Sequence, residues 1–166
     1  MDILAFPYRF VIQMALFVIL AVWAWRAGGG PEKASAWLFV GMFAADRLYH
    51  LLVTPAIELE TVDAWHFALD IAVLAIILPV ALRANRLYPL GLAACQLIAV
   101  NAHVARDSFT QITPIAYNIM YVAPSYLQLL ILGFGILAHV QRVQRYGPYR
   151  DWRQSPTAVR TRDGLA

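Results

Sequence analysis

Charge and cysteine are both scarce in this chain, and each shortage excludes a class of protein. Only 14 % of the 166 residues are charged, while 61 % are hydrophobic. A soluble domain carries about 25 % charged residues and about 45–50 % apolar ones. So few charges cannot cover a globule with solvated groups, and a mean hydropathy of +0.60 suits a chain whose solvent is mostly lipid. The single cysteine, Cys95, excludes an internal disulfide framework and a Cys-rich metal site, and its apolar surroundings suit a small core residue. Also missing are a nucleophile elbow, a zincin motif and the His-rich boxes of membrane desaturases. The formal charge of +3 is spread along the chain instead of forming one basic face, so nucleic acid is not an expected partner. Residues 1–8 lack positive charge and no small-residue cleavage site follows the first apolar run, so that run is expected to be a retained helix.

What is present is five apolar stretches, at 10–25, 34–53, 64–82, 88–105 and 115–140, separated by turn or charge signals. A spanning helix takes about 20 residues, and backbone groups cannot go unpaired in lipid, so these stretches are expected to be helices. The expected fold is all-α: a polytopic membrane bundle of five transmembrane helices over 1–143, followed by a basic tail over 144–166. Pro79 and Pro124 fall inside the third and fifth helices. Orientation follows from basic residues near the span ends. Arg26, Lys33, Arg83, Arg86, Arg142, Arg145, Arg150, Arg153, Arg160 and Arg162 share one side if there are five spans. Arg9 and Arg106 fall on the other side, with Glu58, Glu60 and Asp63. The topology this implies is N-out/C-in in a bacterial-type inner (plasma) membrane, with the tail lying cytoplasmically against membrane lipids.

Ionisable residues inside a membrane are costly and usually face the bundle interior or water. Helix two carries Asp46, Arg47 and His50, helix three His66 and Asp70, and helix four Gln96, Asn101 and His103, just before Arg106. At about 1.5 Å per residue, His50, His66 and His103 all lie roughly 5 Å inside the outer boundary. Asp46 and Asp70 lie roughly 10 Å inside it. Asp46 and His50 are spaced i,i+4, as are His66 and Asp70, so each pair shares a helix face. Helix five adds a stripe of Asn118, Tyr121, Ser125 and Gln128. These positions imply a polar pocket between helices two to five, open towards the outside.

Histidine and carboxylate donors suit zinc, iron or manganese. The expected site has His50, His66 and His103 as metal ligands, Asp46 and Asp70 as catalytic carboxylates, and Arg47, Asn101, Arg106, Tyr121 and Gln128 around them. A b-type haem between His103 and His50 or His66 is a further reading. The Asp46/His50 and His66/Asp70 pairs resemble the intramembrane His/Asp zinc sites of the cation diffusion facilitators, over those four residues alone. The chain differs from that family in its five expected spans and its lack of a matching cytoplasmic domain. The leading functional expectation is a small inner-membrane protein whose pocket binds a transition metal, zinc or iron, or a small polar ligand, and which could be catalytic. A proton-coupled transporter or permease would use the same residues as a relay. An accessory or assembly subunit with membrane protein partners would use them only to tie helices together.

Overall fold

The computed structural model describes residues 6–53, 64–108 and 114–153, and every regular element among them is a helix. These are α1 (Phe6–Ala27), α2 (Gly30–Val53), α3 (Ala64–Arg83), α4 (Tyr88–Ser108) and α5 (Pro114–Tyr146). The acidic loop with Glu58, Glu60 and Asp63, the tail arginines Arg160 and Arg162, and the side chains of Asn118 and Tyr121 lie outside the described residues.

Among the described residues, four helices are long and apolar enough to cross a membrane, over Phe10–Ala27, Ala64–Arg83, Tyr88–Arg106 and Val122–Tyr146. Their lipid-facing sides carry exposed Val, Ile and Leu, such as Ile19, Ile76, Ile98 and Leu130. The 24-residue α2 is long enough but is not among the four. Glu32 and Lys33 at its start and Asp46, Arg47 and His50 near its end lower its hydropathy.

Inside, α3 packs on α4, α4 runs along α5, and α2 lies against α1 and α3. Phe17, Phe39 and Phe43 form an aromatic cluster between α1 and α2, with Phe17 5.2 Å from each of the other two rings. Val73, Ile77, Leu92, Leu132 and Ile136 extend the core through α3, α4 and α5. Cys95 is buried, as expected of a small core residue. Where α4 starts against α5, the Tyr88 ring lies so close to Gly135 that an added Cβ would meet it at 2.5 Å.

The turn between α1 and α2 is only Gly28 and Gly29. Pro31 does not end a helix here; it sits in the first turn of α2, where its missing N–H is no loss. Glu32 reaches back one turn and accepts the Gly29 N–H at 3.0 Å, half of a capping box. Asp151 of the tail accepts the next free donor, the Gly30 N–H, at 2.7 Å. The tail gets there because α5 runs to Tyr146 and ends at Gly147, whose φ of +81° is the left-handed conformation of a helix C-terminus. Residues 147–153 then fold back under the bundle, with Ala84 and Trp152 forming an antiparallel bridge.

At this end Arg86 organises a buried ionic group that composition alone presents as mere topology charge. Its Nε lies 3.1 Å from Glu32 Oε1 and donates to the Tyr149 hydroxyl at 2.9 Å. Its Nη2 donates to Asp151 Oδ1 at 2.7 Å and to His139 Nδ1 at 2.8 Å. Since a guanidinium only donates, His139 Nδ1 is an acceptor and the ring proton sits on Nε2. Burial lowers the Arg86 pKa, but hydrogen bonds to Tyr149 and Asp151 and the Glu32 charge outweigh it and hold it above its ordinary value. Burial raises the Asp151 pKa, but the Gly30 amide and Arg86 outweigh that and hold its carboxyl below the usual range.

Two outcomes follow. Arg86→Gln leaves the fully buried Glu32 carboxylate without its cation and lowers stability by about 3–5 kcal/mol, read by thermal unfolding in detergent. The stability difference between wild type and Asp151→Asn stays constant from neutral pH down to the ordinary carboxylate pKa of about 3.9, because a depressed carboxyl contributes fully above that value. The difference then shrinks as pH falls towards the lower folded value. A difference that instead shrinks above about pH 5 would contradict the Asp151–Arg86 pairing.

Candidate metal centre

Polar residues in the other half of the bundle separate into two groups, and α3 contributes to both. The first joins α2 and α3. His66 Nε2 lies 2.8 Å from Asp46 Oδ1, His50 Nε2 lies 3.7 Å from the same oxygen, and the two Nε2 atoms are 3.3 Å apart. All three residues are half-buried, and their donor atoms lie within 4.8 Å of one another, close enough to hold one metal ion. In a tetrahedral site with bonds of about 2.0–2.1 Å, neighbouring ligand atoms stand about 3.3 Å apart. The three separations observed bracket that value. Asp46 Oδ1 is buried, close to both imidazoles, and aligned for a hydrogen bond with neither. Two histidines and one carboxylate on one side of a metal leave further coordination positions open.

The two helices are locked together next to these donors. Tyr49 precedes His50 and Trp65 precedes His66, and their rings stack with centroids 4.6 Å apart and planes 11° from parallel. This stack fixes the height of α2 against α3, so the two imidazoles meet at one level. The sequence alone gives no sign of this stack; only the packing pairs the two rings.

The second group joins α3, α4 and α5 and is fully buried. Gln128 Nε2 donates to Gln96 Oε1 at 2.8 Å, and Gln96 Nε2 donates to Asp70 Oδ1 at 2.8 Å and to the Asp70 carbonyl at 3.2 Å. His103 Nε2 lies 3.1 Å from Asp70 Oδ2. The two amides point the same way, so the chain ends on Asp70 as an acceptor, with both carboxylate oxygens engaged. Asp70 and His103 thus form a separate group rather than joining Asp46, His50 and His66. The helix order explains the split. α3 lies between α2 and α4, and a step of four residues turns about 40° round a helix. His66 can therefore meet α2 while Asp70 meets α4.

The surrounding residues are also distributed. Arg47 is exposed, and Asn101 is exposed with its amide donating to the Leu97 carbonyl of its own helix at 2.7 Å. Arg106 is half-buried. Gln128 belongs to the Asp70 group, and the side chain of Tyr121 lies outside the described residues. The polar stripe of α5 divides as well. Ser125 accepts from Gln13 of α1 at 2.8 Å, so it ties α5 to α1 and not to the α2–α3 site. Gln13 was not singled out in the sequence, because a lone amide in an apolar run carries no periodic signal.

Gln96→Leu removes the amide that holds Asp70 and lowers stability by about 1–3 kcal/mol, the cost of a buried acceptor left unpaired. Metal binding at Asp46, His50 and His66 is expected to stay at the wild-type level. Unfolding curves and a metal titration on the same preparation check both halves.

No protein-family model, curated protein or solved structure matches this chain.

Proposed function

We propose that this chain is a five-span plasma-membrane protein, N-out/C-in, that binds one transition-metal ion through Asp46, His50 and His66. The observation that carries the reading is the convergence of these three donor atoms from two helices. Zinc and iron are the metals that fit two imidazoles and one carboxylate with open positions. In this reading α2 is the fifth span. It crosses despite its charges because Glu32 and Asp46, near its two ends, both meet basic partners on other elements. The excess of arginine at the Arg86 end supports placing that end in the cytoplasm, so the metal centre lies near the outer face. Its open positions take a water or a small polar ligand, and a metal there would lower the pKa of bound water and polarise what it binds. Tyr49 and Trp65 position the two histidine ligands. Asp70 and His103 support α3 from behind.

Cobalt(II) titration of the purified, chelator-treated protein tests this. Wild type is expected to bind one equivalent, with visible absorption bands in the range of low-symmetry sites. His66→Ala and Asp46→Asn lose the bands and most of the affinity. Trp65→Ala keeps the ligands but weakens binding by about 10–100-fold, as loss of an orienting contact does at other metal sites. A wild-type protein that takes up no cobalt, zinc or iron would overturn the proposal.

A further inference from the structure

The returning tail sets two arginines against each other at the inner end of the bundle. The Arg153 N–H donates to the Arg83 carbonyl at 2.8 Å, and the Asn85 N–H donates to the Asp151 carbonyl at 3.0 Å. The Asn85 side chain holds the Arg150 carbonyl at 3.3 Å. Arg83 and Arg153 thus project from directly bonded backbone, with Arg150 nearby. All three side chains are exposed, and none has an ion pair or side-chain hydrogen bond among the described residues. Like charges placed opposite one another are destabilising. The neighbouring acid, Asp151, does not relieve this, because Arg86 and the Gly30 amide occupy both its oxygens. Glu32 is fully buried against Arg86. Three tail and loop contacts therefore hold these cations together and leave their charge unbalanced.

Position identifies the counter-charge. Arg83 is the last residue of the apolar stretch Ala64–Arg83, and Tyr88 begins the next, so Arg83 stands at the membrane boundary. Beside it Trp152 packs on Gly30 yet remains 41 % exposed, an amphipathic ring at headgroup height. We propose that Arg83 and Arg153, with Arg150 beside them, clamp the phosphate of an anionic phospholipid headgroup. Guanidinium groups bind phosphate oxygens in a forked, two-bond geometry, and two facing forks enclose one phosphate. A lipid of net negative charge is selected over a zwitterionic one, because among the described residues the cluster carries no acid free to meet a choline or ethanolamine. Free phosphate shares the chemistry, but the site's place at the end of a span commits it to lipid. The proposal is independent of the metal centre, which lies at the far ends of α2 and α3.

The test is thermal unfolding of the full chain in a neutral detergent, titrated separately with phosphatidylglycerol, phosphatidylcholine and inorganic phosphate. Phosphatidylglycerol is expected to raise the midpoint saturably, and the other two to leave it unchanged. The double variant Arg83→Gln/Arg153→Gln needs at least about ten-fold more phosphatidylglycerol, as loss of two boundary cations implies. Arg145→Gln, on the exposed last turn of α5, titrates like wild type. An equal response in the double variant and wild type would show diffuse attraction to a basic end and overturn the clamp. So would a matching shift with inorganic phosphate. Should the double variant not fold, Arg153→Gln replaces it, since its main-chain bond to Arg83 is untouched, and the same two results decide.

Discussion

A charged group that enters a lipid-facing bundle must meet a partner on another element, and α2 is built around that requirement. Glu32 at its start is fully buried and Asp46 near its end is half-buried, within a helix whose buried face also carries Ser35, Ala36, Phe39 and Phe43. Neither carboxylate could stay there alone, because the cost of an unpaired buried charge is several kcal/mol. Glu32 is answered by Arg86 from the turn after α3, and Asp46 by His66 from the start of α3. α2 is thus pinned to α3 and its flanking turn at both ends. The C-terminal strap exists to complete the first of these pairs: Asp151 shares Arg86 with Glu32 and caps the helix that carries it.

α3 then acts as the divider of the polar interior. It has the highest mean apolarity of the five, yet it carries His66 towards α2 and Asp70 towards α4. That arrangement gives the protein two polar layers with opposite character. One is half-buried and brings two imidazoles and a carboxylate oxygen together. The other is dry and saturated, running Gln128, Gln96, Asp70, His103 through three helices. The saturated chain fixes α3, α4 and α5 as a rigid block. The α2–α3 site is set on the edge of that block, where one more helix closes it.

Much of this was legible in the sequence, and the parts that were not have a common cause. Helix number and approximate limits follow from apolar run length. The i,i+4 spacing of Asp46 and His50 correctly put them on one face. Direction around the bundle is another matter: the rise per residue expects His103 at the depth of His50 and His66, but it belongs to α4, which meets α3 on its other side. Depth is a one-chain property, whereas azimuth depends on which helices pack together. The same limit hid the Arg86 group. Arg86 and Asp151 are 65 residues apart, and positive-inside counting assigns such arginines to topology without asking what they touch. The Gly28-Gly29-Gly30-Pro31 run breaks α1, but its proline also opens α2.

The contrast between the two layers decides where metal chemistry belongs. A ligand must offer a lone pair that the protein has not already used. Asp70 has one oxygen on Gln96 and the other on His103, and His103 Nε2 is engaged in return, so a metal there would have to break a buried network and strand its members. Asp46 Oδ1 is different: it lies between two imidazole nitrogens and is hydrogen-bonded in line with neither. Two Nε2 atoms 3.3 Å apart gain at most one weak hydrogen bond from each other, and only when one is protonated and the other is not. A cation at their common focus would be within reach of all three donor atoms at once. The Tyr49–Trp65 stack holds that focus in place without contributing a competing donor to it. Among the described residues, this is the one group of His and carboxylate donors close enough together to hold a metal ion.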